Sequence, residues 1–586
     1  MVKRKPYSGS CRKLVLAFDV GTTFSGASYC VLDPGEEPKI KNIVKFPYQD
    51  PTNGSTKVPS IIWYNAEGKV EAIGAQAVLD ATIKKAEVQQ WSKVEWFKLL
   101  LRPKGLGGDG VDAFIQSIPP LPACKTIVEV LADYLRFLFQ SAKAYIEKSR
   151  PNKEVWWNSV KSRIEFVLTH PNGWEGKQQS QMREAAVIAE LVPDEQAGEE
   201  RIHFVTEGEA GLHYCIGEDL LTEAVKGGDG IMVVDAGGGT IDVSCYKATG
   251  PESFEEVSAS QCKVQGSLFV TQRARFHLEV YLQNSKFVRH VPCMVKKFDE
   301  RTKHNFRAID DLCVIQFGGT SDKDERHNID SGQIILQGNV VASFFQPSIE
   351  CITRIIEAQK DRIRTVFLVG GFAASEWLDE QVKKYAEEVG IDVCVPDSVN
   401  EAIANGAVSF FIDHFVSARV SKFQYGTVVN TLYLPYKSSH FQRRDKRCID
   451  LSGKIRLPHA FDVILPKDTR VTEEQEFQEK YNCQARTIDS LENIQTRVLR
   501  YRGMRDTIEW ISEDIDNFEV MCRIEADTSI ATQGLLPRRR SDGQTYYALD
   551  FKIALLFGLT EFKAQICWTE NGEEKRGPAR VIYSTE

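Results

Sequence analysis

Apolar and polar positions follow two different rhythms along this chain. Up to residue 415, short apolar runs alternate with stretches of helical spacing. Leu14–Phe18 reads "LVLAF" and 231–234 reads "IMVV", each a buried-strand run that ends on an aspartate. Val128, Leu131, Leu135 and Leu138 fall on one face of a helix within 125–147. Ile164–Leu168 predicts a strand, and 177–191 and 346–360 predict helices. Thr365–Gly371, "TVFLVGG", predicts a strand ending in two glycines, followed by a helix that Gly390 stops. Strands alternating with helices mean α/β organisation. Beyond 415 a period of two takes over. Phe518, Val520, Cys522 and Ile524 alternate with Glu519, Met521, Arg523 and Glu525, and Tyr547, Leu549, Phe551, Ile553 and Leu555 repeat the pattern. Asn571-Gly572 predicts a hairpin turn between two strands. The charged stretch 472–512 reads as helix or as a mobile excursion.

The two runs that end on aspartate share more than that ending. Asp19-Val20-Gly21-Thr22-Thr23 leads back into the apolar "SGASYCVL", and Asp235-Ala236-Gly237-Gly238-Gly239-Thr240 into "IDVSCY". A strand that needs only to be buried has no use for the aspartate, and a plain hairpin needs one or two glycines, not three. A polyphosphate, in contrast, needs backbone N–H groups at close range with no side chain in the way, and glycine allows that approach. Threonine hydroxyls add donors. A hydrated magnesium ion prefers few carboxylate contacts, which Asp19 and Asp235 at the strand ends are placed to make. Either segment alone reads equally well as a tight hairpin; the pair, joined by the later "LVGG", favours phosphate binding and two equivalent lobes.

Composition narrows the class. The chain has 586 residues, 42% hydrophobic and 26% charged, which suits a globular protein of several domains. A net charge of −8 removes any global electrostatic case for nucleic acid. No run of apolar residues is long enough to predict a membrane span. Residues 1–11 are basic with no apolar stretch behind them and read as a disordered lead-in. Fourteen cysteines without a C-x-x-C pair point to a reducing compartment, cytoplasmic or also nuclear, with neither disulfides nor zinc. Two basic clusters, 443–447 and 538–540, read first as solvated loops and second as sites for an anionic partner.

The motifs resemble those of the heat-shock 70 family within the actin-like ATPase superfamily, in its divergent branch of heat shock 70 kDa protein 12-like and fungal proteins. "LAFDVGTTFSGASY" is similar to the first phosphate segment, "VVDAGGGTIDVSCY" to the second, and "TVFLVGGFAASEWL" to the adenosine segment. "VEWFKLLLRPK", "VTEGEAGLHY", "VQGSLFV", "ERTKHNF" and "NEAIANGAV" resemble further family segments, in the family's order. The resemblance implies an α/β fold: a two-lobed actin-like ATPase domain over 12–415, built on a duplicated ribonuclease H-like motif, then a smaller β-rich domain over 416–586. It implies ATP/ADP and Mg2+ as cofactors. Asp19 and Asp235 would hold the hydrated ion. Gly21, Thr22, Thr23, Gly237, Gly238, Gly239 and Thr240 would cradle the phosphates, and Glu300, Lys303, Gly370 and Gly371 the nucleoside. Lys98, Glu207 and Asp235 would be catalytic, with Lys98 and Glu207 positioning the attacking water. On spacing alone Lys98 reads as a solvated helix lysine, and Glu300 with Lys303 as an i, i+3 surface pair.

Departures from the family pattern are specific. Phe372 stands where the typical chaperone has serine, where its ring would stack on adenine or block it, and His304 replaces an arginine. No acidic, leucine-rich linker and no long helical lid follow residue 413. The expected function is a Mg-dependent ATPase (ATP and water to ADP and phosphate) that couples nucleotide state to protein binding. Clients or signalling partners would use the C-terminal domain. The alternatives are a nucleotide-binding scaffold with negligible turnover, or a small-molecule kinase on the same lobes.

Overall fold

The apolar runs that end on aspartate become the central strands of two sheets. The computed structural model describes residues 4–49, 56–103, 108–174, 176–221, 228–250, 253–558, 561–570 and 572–577. These fall into two compact units: Met1–Trp174 with Gln181–Val416, and Glu175–Ser180 with Ser417–Glu586.

In the first unit, Lys13–Asp19 is buried from Leu14 onward. It pairs antiparallel with Phe24–Leu32, which pairs antiparallel with Ile40–Asn42. On its other side it pairs parallel with Ile164–His170, which pairs parallel with Ile202–Thr206. A second sheet repeats this order. Gly230–Ala236 is its central strand, with Ile241–Gly250 and Ser253–Lys263 antiparallel on one side. Thr365–Val369 and Asp392–Cys394 run parallel on the other. Central strands covered on both faces explain the unbroken apolar runs. Asp19 and Asp235 therefore occupy matching ends of matching strands.

The helices follow the local signals. Thr126 and Glu129 form a reciprocal capping box that starts Ile127–Lys148, whose Val128, Leu131, Leu135 and Leu138 are buried. Ser375 caps Glu376–Glu388, and Gly390 at φ +73° ends the turn that follows. The helix expected over 346–360 begins earlier, at Gly338, and carries Pro347 inside it. Residues 4–11, the described part of the lead-in expected to be disordered, follow a defined path. Arg4 Nε lies 3.0 Å from both carboxylate oxygens of Asp413, and the Tyr7 N–H donates to the Glu36 carbonyl at 2.9 Å.

The second unit is built mainly of antiparallel strands. One sheet runs Cys448–Ile449, Ile455–Leu465, Gln424–Leu432, Asn493–Tyr501, Phe518–Asp527. The other runs Glu476–Ala485, Thr545–Gly558, Glu561–Glu570, Glu573–Arg576. The charged stretch 472–512 thus holds two long strands, Glu476–Ala485 and Asn493–Tyr501, and no α-helix. Phe477, Tyr481 and Cys483 pack inward from a sheet edge, while the charges between them mask the alternation. Period two also breaks once: both Met521 and Cys522 are buried, because a register shift opposite Val498–Leu499 inserts a bulge. Gly572 has φ +87°, as a hairpin turn needs, while Asn571 lies outside the described residues. Gln424–Leu432 and Asn493–Tyr501 pair only over Gln424–Gly426. Beyond that the strands part around a cavity of about 1070 Å³, lined among others by Val428, Asn430, Gln495, Tyr481 and Phe551.

Helix Glu207–Gly217 crosses helix Ala402–Asp413 at a point that admits no side chain. A Cβ on Gly406 would lie 1.7 Å from the Ala210 carbonyl oxygen. Gly406→Ala is expected to cost about 2 kcal/mol or more, because backbone must move. Gly110→Ala, in a helix with open space around it, should be neutral or stabilising by up to about 1 kcal/mol. Urea unfolding midpoints of the two variants check this contrast.

Candidate functional site

The two glycine turns meet. A Cβ on Gly238 would lie 2.3 Å from Thr23 Oγ1, and one on Gly239 would lie 2.4 Å from Thr22 Oγ1. Glycine is needed at both positions because a threonine of the other turn already stands there. The carbonyls of Gly237, Gly238 and Gly239 accept from the N–H groups of Ser267, Leu268 and Gly266 at 3.1, 2.9 and 3.1 Å. In a trans peptide C=O and N–H point in opposite directions, and no cis peptide is present among the described residues. The amides of Gly238, Gly239 and Thr240 therefore face away from helix Ser267–Tyr281. In the first turn, the carbonyls of Gly21 and Thr23 are held by the Ser60 hydroxyl at 2.8 Å and the Ser60 N–H at 2.9 Å. This turns the amides of Thr22 and Phe24 away from Ser60.

Beside the turns lies a group of buried charges. Asp19 accepts from Lys57 Nζ at 2.8 Å and from Thr169 Oγ1 at 3.1 Å. Glu207, the first residue of its helix, pairs with Lys98 Nζ at 2.5 Å. Asp235 stands directly across the ladder from Asp242. Asp242 accepts from the Asn172 N–H at 2.6 Å. Asp235 Oδ1 is buried without a hydrogen-bond partner, and Gly370, at φ +88°, lies so close that its Cβ would come within 2.0 Å of that oxygen. Four carboxylates (Asp19, Glu207, Asp235, Asp242) against two lysines (Lys57, Lys98) leave a formal charge of −2 in a buried space.

The titrations follow from that surplus. Burial, then the charges of Glu207, Asp242 and Asp19, push the Asp235 carboxyl far above the usual range. Burial also raises Glu207; Lys98 opposes this, Asp242 and Asp19 reinforce it, and the carboxyl settles at about 7. Burial would raise Asp19, but the Lys57 and Lys98 charges outweigh it and hold that carboxyl down. Burial works against the Lys98 ammonium, yet Glu207 and Asp19 more than offset it and hold its pKa above the ordinary lysine value. His170 is pushed down to about 4 by burial and is neutral at physiological pH.

Most of the expected site residues come together here: Asp19, Thr22, Thr23, Lys98, Glu207, Asp235, Gly238, Gly239 and Gly370. Lys98 is not a solvated lysine; it is buried in the short helix Phe97–Leu101, with its ammonium 5.8 Å from the Trp174 ring. Glu300 and Lys303 do not pair. Glu300 is an exposed partner of Lys297, whereas Lys303 is buried and bonds Asp299 at 2.5 Å and Thr271 at 3.2 Å. Gly371 is exposed just after Gly370. Phe372 is only 4% exposed and packs on Phe345, so its ring belongs to the core. Sequence reasoning missed Lys57, Asn172, Asp242 and Asp299. Asp242 did carry a signal, an acid between Ile241 and Val243 in a buried strand. Lys57 and Asn172 carried none, because their partners lie far away in the chain.

No family model matches the chain. Three curated proteins do match along most of their length. Heat shock 70 kDa protein 12B of Homo sapiens is 24% identical over 510 residues, 72% of this chain and 72% of that protein. Heat shock 70 kDa protein 12A of Mus musculus is 24% identical over 511 residues, 72% of this chain and 73% of its own length. The human 12A protein matches at 24% over 510 residues. The chain is similar, at a distance, to heat shock 70 kDa proteins 12A and 12B. That places the resemblance in the divergent heat-shock 70 branch to which the motifs pointed. The architecture, mixed α/β with several mixed sheets, is consistent with a heat-shock 70-like fold. Among the described residues no helix is long and apolar enough to cross a membrane.

The Lys98–Glu207 pair generates a pH-dependent stability. The folded-state value of Glu207, about 7, lies above its ordinary 4.5, so this carboxyl withdraws stability as pH rises between those values. Above that window the ionised carboxylate depends on Lys98. Lys98→Met is expected to cost about 3 kcal/mol at pH 8.5. It should cost clearly less at pH 5.5, where the carboxyl carries its own proton. Urea unfolding at the two pH values measures the difference; an equal loss at both would contradict the assignment.

Proposed function

We propose that this protein is an ATP-binding and ATP-hydrolysing heat-shock 70-like protein. In this reading 12–415 forms a two-lobed actin-like ATPase domain and 416–586 a β-rich protein-binding domain. One observation carries the proposal: two glycine–threonine turns, with amides turned away from their own supports, meet beside four buried carboxyl groups that have only two lysines between them. A hydrated divalent cation fits such a place. Asp235 Oδ1 lacks a partner, and among the described residues no three His, Cys, Asp or Glu side chains converge to form a closed metal cage. Mg2+ keeps several waters and takes few carboxylates, so Asp19 and Asp235 would hold it through water. The bound ion would supply positive charge to the polyphosphate.

The chain's own groups do the rest. The amides of Gly238, Gly239 and Thr240, with the hydroxyls of Thr22 and Thr23, would donate to phosphate oxygens and fix the transferring group. Glu207 Oε1, with a pKa near neutrality, would orient the attacking water and accept its proton, while Lys98 Nζ holds that carboxylate in place. Gly370 and Gly371 would let the nucleoside approach the second sheet, and Lys303 with Asp299 would face the ribose. The parted strands around the C-terminal cavity suit the β-rich domain to capture of a polypeptide segment. Binding of nucleotide would shift a hinge equilibrium by its unequal affinity for the open and closed forms.

Phosphate release from ATP with Mg2+, alongside calorimetric binding of ADP, tests this. Asp235→Asn should abolish Mg-dependent turnover. Lys98→Met should keep ADP binding and lose about a hundredfold or more in turnover. Binding without turnover in the wild type would make the protein a scaffold, phosphorylation of an added sugar would make it a kinase, and failure to bind ADP would end the proposal.

A further inference from the structure

Between Gln424–Leu432 and Ile455–Leu465 the chain leaves the sheet for an excursion that rejoins it only at the short strand Cys448–Ile449, where Ile449 also borders the cavity. It is a strongly basic stretch of an acidic protein. From Lys437 to Arg456 the sequence holds seven Lys and Arg residues and two acids, Asp445 and Asp450, a net +5 within a chain of −8. It is also apolar at the surface. Tyr436 is 83% exposed, Ile449 63%, Phe441 52% and Ile455 42%. A charge run that merely keeps a loop solvated has no reason to carry exposed aromatic and aliphatic side chains among its cations.

The patch is built, not frayed. His440 is buried beneath it, accepting from the Leu434 N–H at 3.1 Å on Nδ1 and bonded to Glu509 at 2.9 Å through Nε2. Arg443 lies over the Trp510 ring at 4.6 Å and pairs with Glu513 at 3.3 Å, and Lys437 pairs with Glu509 at 2.5 Å. Those two cations serve the anchor. The outer ones do not. Arg444 lies over Phe441 at 4.6 Å, and Arg447 over Tyr433 at 5.2 Å. Among the described residues no carboxylate is within salt-bridge distance of Arg444, Lys446 or Arg447. Ile449 pairs across the strands with Ile455, whose carbonyl accepts from the Tyr433 N–H, so Tyr433, Ile455 and Ile449 lie in one lateral row. Cations without a carboxylate partner thus border the exposed pair Ile449 and Ile455 beside the half-buried Tyr433.

We propose that this excursion docks the protein on an anionic lipid bilayer. Tyr436, Phe441, Ile449 and Ile455 enter the boundary between headgroups and acyl chains, and Arg444, Lys446 and Arg447 neutralise the headgroups. A nucleic acid would accept the same cations, but its phosphodiester surface offers nothing to the isoleucine row. The bilayer takes both. The overall charge of −8 keeps the rest of the surface off an anionic membrane, so the contact is confined to this patch and is weakened by salt.

The test is co-sedimentation of the full chain with phosphatidylcholine vesicles, with and without phosphatidylserine, and separately with a single-stranded RNA homopolymer. Binding is expected only with phosphatidylserine and should fall steeply with salt. The triple variant Arg444→Glu, Lys446→Glu, Arg447→Glu should bind about a hundredfold more weakly. Tyr436→Ser with Phe441→Ser should weaken binding while keeping its salt dependence. Arg538→Glu with Arg539→Glu, cations of the same unit outside the patch, should change nothing. All these positions are exposed, and an unchanged unfolding midpoint confirms that the variants fold. No phosphatidylserine binding, equal binding to neutral vesicles, equal loss in the Arg538/Arg539 variant, or binding to RNA alone would each overturn the proposal.

Discussion

Four carboxylates share one dry space with only two lysines, and much of this structure can be understood from that imbalance. Unpaired charge in a protein interior is costly enough that it survives only where something else will balance it. Lys57 and Lys98 balance Asp19 and Glu207 and are themselves nearly enclosed. Asp235 and Asp242 face each other across a ladder with no cation of their own, and Asp235 keeps one oxygen unbonded. A packing solution for stability alone would have placed valine or threonine there. Without a cation the strain is relieved by the raised Asp235 carboxyl, and under the proposed function a bound cation would relieve it instead.

The glycines serve the same arrangement. For the carboxylates to share a space, the ends of two separate sheets must come within contact of one another. Three kinds of glycine allow it. Gly238 and Gly239 yield their side-chain space to Thr23 and Thr22, Gly370 yields to Asp235, and Gly406 lets one helix cross another near the strand that carries Asp235. The first sheet then reaches the second through threonine hydroxyls and backbone amides. Helix Ser267–Tyr281 adds orientation: by taking the carbonyls of the glycine turn it decides which way the amides point.

The second unit works by different means. Its sheets are antiparallel, with polar outer faces and edges, and its distinctive features come from interrupted pairing. Parting of Gln424–Leu432 from Asn493–Tyr501 opens a cavity, and a bulge at Met521 turns an extra side chain inward. The basic excursion between two of its strands is anchored by a buried histidine–glutamate contact and an arginine–tryptophan stack. This leaves its outer arginines, Arg444 and Arg447, over aromatic rings rather than collapsed onto acids.

What could be read from the residues alone was whatever depends on neighbours in the chain. Strands of unbroken apolar residues, capped helices and turns rich in glycine declare themselves locally, so Asp19, Asp235 and the turns beside them were legible, as was the change to period two. The stretch 472–512 was not, because an edge strand carries charges on its open side and its inward residues are too few to stand out. Nor were Lys57, Asn172 and Asp299 visible, or the burial of Lys98 and Phe372. Each of these is defined by a partner brought near by the sheets: Lys57 by Asp19, Asn172 by Asp242, Lys98 by Glu207, Phe372 by Phe345. Local pattern determines which segments become strand or helix; only folding decides which charges lose their water together, because solvent exclusion is a property of the assembled space and not of any stretch of chain.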